Sequence, residues 1–93
     1  MYITVRKYST DSMEILIEKI KAEFVPIIKL APGFIDYYVV PLSEESLMTV
    51  NLFDTEVNGT HSNTIARKWI EENISYMYAG PPEILEGEAI IAQ

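Results

Sequence analysis

The stretch Ala31-Pro32-Gly33-Phe34-Ile35-Asp36-Tyr37-Tyr38-Val39-Val40 constrains this chain more than any other. Pro32 has no backbone donor and Gly33 accepts a left-handed conformation, so a helical pattern has to stop there. The aromatic and β-branched run that follows, closed by Pro41, is predicted to be a strand. A strand entered by so sharp a reversal needs partners elsewhere in the chain.

Two further strand patterns flank it. Near the N-terminus Ile3 and Val5 alternate with Tyr2, Thr4, Arg6 and Tyr8, which is a period of two. After a polar turn at residues 43–46, the run Leu47-Met48-Thr49-Val50-Asn51-Leu52-Phe53 alternates again, and the short connection predicts an antiparallel hairpin. Between the first two strands, Met13, Leu16, Ile17, Ile20, Phe24 and Ile27-Ile28 recur at helical steps. Asp11 and Glu14 have capping-box spacing, and Pro26 should kink or end the helix. Residues 54–60 read as a polar, glycine-containing connection. A second helix is expected over residues 61–75, with Ile65, Ala66, Trp69, Ile70 and Ile74 as its buried stripe and Ala79-Gly80-Pro81-Pro82 as its stop. Residues 83–93 read as an interrupted strand with a bulge at Gly87.

The order strand, helix, strand, strand, helix, strand over residues 1–93 predicts a single α+β domain. Right-handed crossovers turn it into a ferredoxin-like βαββαβ sandwich, a four-stranded antiparallel sheet with both helices on one face. Apolar patterning places Ile3, Val5, Ile35, Val39, Met48, Val50 and Leu52 under the helices, with Tyr37 the one hydroxyl among them. The other face is expected to carry Arg6, Phe34, Asp36, Tyr38, Asn51 and Phe53, beside Tyr2, Tyr8 and Thr49. A face so aromatic calls for cover, and these six residues are the expected interface of a homodimer.

Composition narrows the function classes. Seven basic against fourteen acidic residues give a net charge of −7, which disfavours nucleic acid and anionic membrane as partners. An RNA-recognition sheet would need basic flanks that this chain lacks. No cysteine is present, so disulfides, thiolate metal sites and a thiol nucleophile are excluded. One histidine, His61, without a second at ligand spacing, predicts no metal site. No run reaches the roughly 20 apolar residues that span a bilayer, and no signal-peptide pattern is present, so the expected location is the cytoplasm.

The first helix with a proline near its end, the Pro32-Gly33-Phe34 turn into a tyrosine-bearing strand, and the Ala66-Arg67-Lys68-Trp69 segment together resemble the antibiotic-biosynthesis-monooxygenase-like group of the dimeric α/β-barrel superfamily. The resemblance implies a dimeric barrel and a pocket between helices and sheet. It also implies, for some members, oxidation of aromatic polyketides without metal or flavin. Trp69 matches the second-helix tryptophan of the enzymes, and Tyr76 lies near their tyrosine. Their asparagine one turn earlier is replaced by Ile65, with Asn63 nearby on a different side of the helix, and their later arginine has no counterpart. The histidine and first-strand asparagine of the haem-degrading members are also missing.

Two function classes follow. In the first, a cofactor-free monooxygenase holds an aromatic or quinone-like molecule between Tyr37, Trp69 and Asn63, with His61 or Tyr76 as the candidate proton-transfer groups. Such an enzyme needs a cavity of about 300 Å³ or more beneath Trp69. In the second, a non-catalytic dimeric barrel serves as a binding or scaffold protein and its cavity is filled. On that reading Trp69 is a core side chain, and His61 is an exposed residue near a helix start.

Overall fold

A computed structural model describes residues 1–75, Met77 and residues 81–91. The elements are β1 (Tyr2–Ser9), α1 (Met13–Lys19), a π-helical stretch (Ile20–Phe24), α2 (Val25–Ile28), β2 (Phe34–Pro41), β3 (Ser46–Phe53), α3 (Glu56–Asn73) and β4 (Glu83–Glu88). The strands form one antiparallel sheet in the order β2-β3-β1-β4. This is the predicted ferredoxin-like α+β fold, and side chains from both helical segments meet one face of the sheet in a shared core.

The first helical segment explains its own irregularity. Leu16, Ile20, Phe24 and Ile28 are all buried, at a strict four-residue interval. In an ideal α-helix each such step drifts by about 40°, which would carry Ile28 off the face that Leu16 occupies. Pro26 cannot donate to the carbonyl four residues back, and the winding loosens just before it into the wider π-helical turn. The looser winding keeps all four side chains on the sheet. The expected capping box does not form: Ser12 is the N-cap, its side chain makes no cap bond, and its N–H instead donates to Thr10 Oγ1 at 3.0 Å.

The turn into β2 is as the sequence demands. Gly33 has φ +74°, and its carbonyl accepts the Asp54 N–H at 2.9 Å. The positive φ is what calls for glycine, and a β-carbon at Gly33 would also lie 2.1 Å from Asp54 Oδ1 and displace that exposed carboxylate.

Three expectations are corrected. The second helix begins at Glu56, not near residue 61, because Thr55 caps it by accepting the Asn58 N–H at 3.2 Å. The glycine that suggested a loop, Gly59, sits inside the helix, where a β-carbon would fall 2.3 Å from the ring of Tyr2. In β4, Gly87 pairs in register with Ile3 and no bulge interrupts the strand.

The third correction is the largest, since the two faces of the sheet are exchanged. The helices cover Tyr2, Thr4, Arg6 and Tyr8 of β1 and Leu47, Thr49, Asn51 and Phe53 of β3, all of them buried. Ile3, Val5, Met48, Val50 and Leu52 lie on the other face and are only half-buried. Arg6, Asn51 and Phe53 therefore belong to the interior of the domain and not to an outward interface. In β2 a register shift between Phe34 and Asp36 resets the alternation. Phe34 turns inward, its ring 5.9 Å from that of Phe53 in an edge-on contact, and Tyr37 and Val39 also pack against the core. Of the six expected interface residues, Asp36 and Tyr38 remain on the open face, where the Tyr38 hydroxyl donates to Asp36 Oδ2 at 2.6 Å.

Candidate functional site

The centre of the domain is aromatic. Phe24, delivered by the π-helical stretch, has its ring 5.2 Å from Trp69 of α3 and 5.7 Å from Tyr37 of β2. Tyr8, Tyr37, Thr49 and Arg6 close the polar side of this cage, and Ile20, Ala66, Ile70 and Ile74 close the rest. The structure thus brings Tyr37 and Trp69 together, as their pattern suggested. The space between them is only about 10 Å³, room for about one water. Burial pushes the Tyr37 phenol well above its ordinary range, so it is a neutral hydroxyl here.

Beside this cage is a polar chain that the sequence did not reveal. Arg6 is 3% exposed and its Nη2 donates to Asn63 Oδ1 at 2.5 Å. Asn63 Nδ2 donates in turn to Glu86 Oε2 at 2.7 Å, and the Tyr2 hydroxyl donates to Glu86 Oε1 at 3.0 Å. With both carboxylate oxygens engaged, Glu86 fixes the Asn63 amide so that its oxygen faces the guanidinium. Asn63 therefore turns toward the sheet, not away from the site. The signal for this chain was Arg6 itself, placed between Thr4 and Tyr8 on one side of a strand; it was obscured by the exchanged faces.

Arg6 is a buried cation with incomplete compensation. A guanidinium has five N–H donors, and among the described residues one hydrogen bond is made, to a neutral amide. The ion pairs among the described residues are Met1 with Glu88 and Lys19 with Glu23, neither involving Arg6. Burial lowers its pKa from the usual arginine value; Tyr8, Tyr37 and Glu86 offset part of this, and Arg67 adds to it least of all. Arg6 and Ile70 are shared between the small central cavity and a cleft of about 230 Å³, which is also lined by Asn63, Arg67, Glu71, Pro81, Pro82 and Ile84.

Elsewhere in the interior, Asn51 is fully buried. Its Nδ2 donates to Thr4 Oγ1 at 3.0 Å while its Oδ1 has no partner among the described residues. His61 is exposed on α3 and lines neither the cage nor the cleft. Tyr76 lies outside the described residues. Among the described residues no group of three or more His, Asp or Glu side chains could hold a metal ion, and no helix is long and apolar enough to cross a membrane.

Comparison with known proteins adds the fold class. No family model matches the chain, and no curated protein matches it. Solved structures do. SnoaB, a cofactor-independent oxygenase from Streptomyces nogalater, superposes with a TM-score of 0.78 at 10% identity, covering 98% of this chain and 94% of that one. The monooxygenase ActVA-Orf6 of Streptomyces coelicolor, solved with nanaomycin D, gives 0.72 at 18% identity over 99% and 92%. A dimeric ferredoxin-like protein from an uncultured marine organism gives 0.74 at 12% identity over 100% and 98%. The chain has the ferredoxin-like fold of the antibiotic-biosynthesis-monooxygenase-like proteins.

Proposed function

We propose that this protein is a homodimeric α/β-barrel binding or scaffold protein whose central cavity is filled, rather than an oxygenase working beneath Trp69. The observation that carries the reading is the central space of about 10 Å³ between Phe24, Tyr37 and Trp69. An aromatic substrate needs a site of at least about 300 Å³, far more than this cage offers. The candidate proton-transfer residue His61 is also not among the residues that line the cage.

Dimerisation is supported by the open sheet face. Ile3, Val5, Met48, Val50 and Leu52 form an apolar surface with no helix over it among the described residues. A chain of this length buries only about 60–65% of its unfolded surface, so covering that face with a second copy supplies stability the single domain lacks. A two-fold arrangement would set the same patch of each copy against the other.

Sedimentation equilibrium combined with oxygen uptake on a panel of hydroquinones tests the reading. The expected result is a dimer at micromolar concentration, with uptake no greater than for protein-free controls and unchanged in Trp69→Phe. Uptake above background that Trp69→Phe abolishes would overturn it. That outcome would establish the second reading, a cofactor-free monooxygenase, which is favoured by one feature: the cage shares Arg6 and Ile70 with the larger cleft, so the two spaces meet at those side chains.

A further inference from the structure

We propose that the cleft between α3 and β4 binds a small organic acid as its anion, the carboxylate docking on the guanidinium of Arg6 with Arg67 at the rim and the ligand's apolar body lying against Ile70, Ile84, Pro81 and Pro82.

Burying Arg6 is costly. Taking a cation out of water is worth several kcal/mol of penalty unless an anion or a full set of acceptors replaces the solvent. At 3% exposure Arg6 has one acceptor, the neutral Asn63 amide, and no carboxylate at ion-pair distance among the described residues. The nearest acid in the network, Glu86, is held one residue away, with its two oxygens bonded to Asn63 and Tyr2. Asn63 therefore acts as a spacer that keeps Glu86 from closing on the guanidinium. Arg6 is itself one of the residues that line the cleft.

The cleft also selects what can neutralise that charge. A planar carboxylate matches the guanidinium fork in two parallel hydrogen bonds, which a spherical ion does not. The volume of about 230 Å³ falls below the range for drug-sized ligands, so the body is small, and two prolines and two isoleucines supply the apolar part of a wall otherwise made by Arg6, Asn63, Arg67 and Glu71. Glu71 also lines the cleft, so a second negative group on the ligand would meet repulsion there and a monocarboxylate is preferred.

The test uses the whole chain, isotope-labelled for NMR, titrated with benzoate and separately with the neutral isostere benzamide. Benzoate is expected to bind saturably, shifting the Asn63 side-chain amide and the Ile70 and Ile84 methyls, and benzamide to bind at least about tenfold more weakly. The charge-conserving Arg6→Lys is expected to weaken benzoate by about tenfold, since it keeps the charge but loses the fork. Equal affinity for the two ligands, no saturable shift up to about 10 mM benzoate, or unchanged affinity in a folded Arg6→Lys would each overturn the proposal. The comparison of ligands needs no variant, so a misfolded mutant does not protect it. The cleft is a different space from the filled cage, although Arg6 and Ile70 line both, and a monomer in sedimentation would refute the dimer without touching this site.

Discussion

The ring of Tyr2 rests against the backbone of Gly59, close enough that a β-carbon there would stand 2.3 Å from Tyr2 Cδ2. This contact fixes how near the start of α3 approaches β1. In an exposed helix Gly→Ala would stabilise by roughly 0.5–1 kcal/mol. Here Gly59→Ala should destabilise instead, by about 1–3 kcal/mol, because the ring must move within a packed interior. Thermal denaturation checks the sign, and combining Gly59→Ala with Tyr2→Leu should recover much of the loss.

Gly33→Ala meets a different obstacle. The left-handed conformation alone costs a β-carbon about 1–2 kcal/mol. The added carbon would also push aside the exposed carboxylate of Asp54, whose Oδ1 accepts from Asn58 Nδ2 at 2.8 Å. A loss of about 1–2 kcal/mol, with a smaller part from displacing Asp54, is expected in urea titration. Asp54→Ala, by opening space, should reduce the penalty without removing the backbone component.

The open face supplies a test of assembly. Val50→Asp places a charge at the middle of the proposed interface without entering the helix-covered core. Dimer dissociation should strengthen by at least tenfold in sedimentation, about 1.4 kcal/mol, with the far-ultraviolet spectrum preserved. A substitution at Arg6, Asn51 or Phe53 should act on folding instead, because those side chains are interior.

Alkaline titration follows from Tyr37. Its phenol is raised above the unfolded value of about 10, so the folded protein holds a proton that the unfolded chain releases. The corresponding stability is fully present below pH ~10 and is lost as the pH rises above it. Absorbance of tyrosinate should show a component that ionises only with unfolding, and Tyr37→Phe should reduce that component and flatten the alkaline decline.

The order of elements could be read from the sequence because each pattern was local: the alternation of β1 and β3, the four-residue steps from Leu16, the break at Pro32-Gly33. The faces of the sheet could not. Ile3, Val5, Val50 and Leu52 have the composition of a core, and the rule that apolar residues face helices assigns them there. The helices instead cover Tyr8, Thr49, Asn51 and Phe53, whose polar atoms and rings are accommodated by hydrogen bonds and edge contacts that no single-sequence pattern encodes. The register shift beside Ile35 further separated Phe34 from the residues with which strict alternation grouped it. That Tyr37 and Trp69 line one space could be read from the patterns of β2 and α3, whereas the bonds linking Arg6 to Asn63 and Asn63 to Glu86 join residues far apart in the chain and appear only once α3 and β4 are in place.

The π-helical stretch Ile20–Phe24 also bears on how chain length can vary in this fold. A wide turn is a place where a helix has absorbed a residue that its ends did not need, with the flanking anchors, Leu16 and Ile28, still seated on the sheet. A homologue one residue shorter between those anchors can keep the same core by winding that turn as ordinary α-helix. A single-position gap at Lys21, Ala22 or Glu23, all of them exposed, is then the alignment that preserves the three-dimensional correspondence of everything from Ile28 through the Gly33 turn.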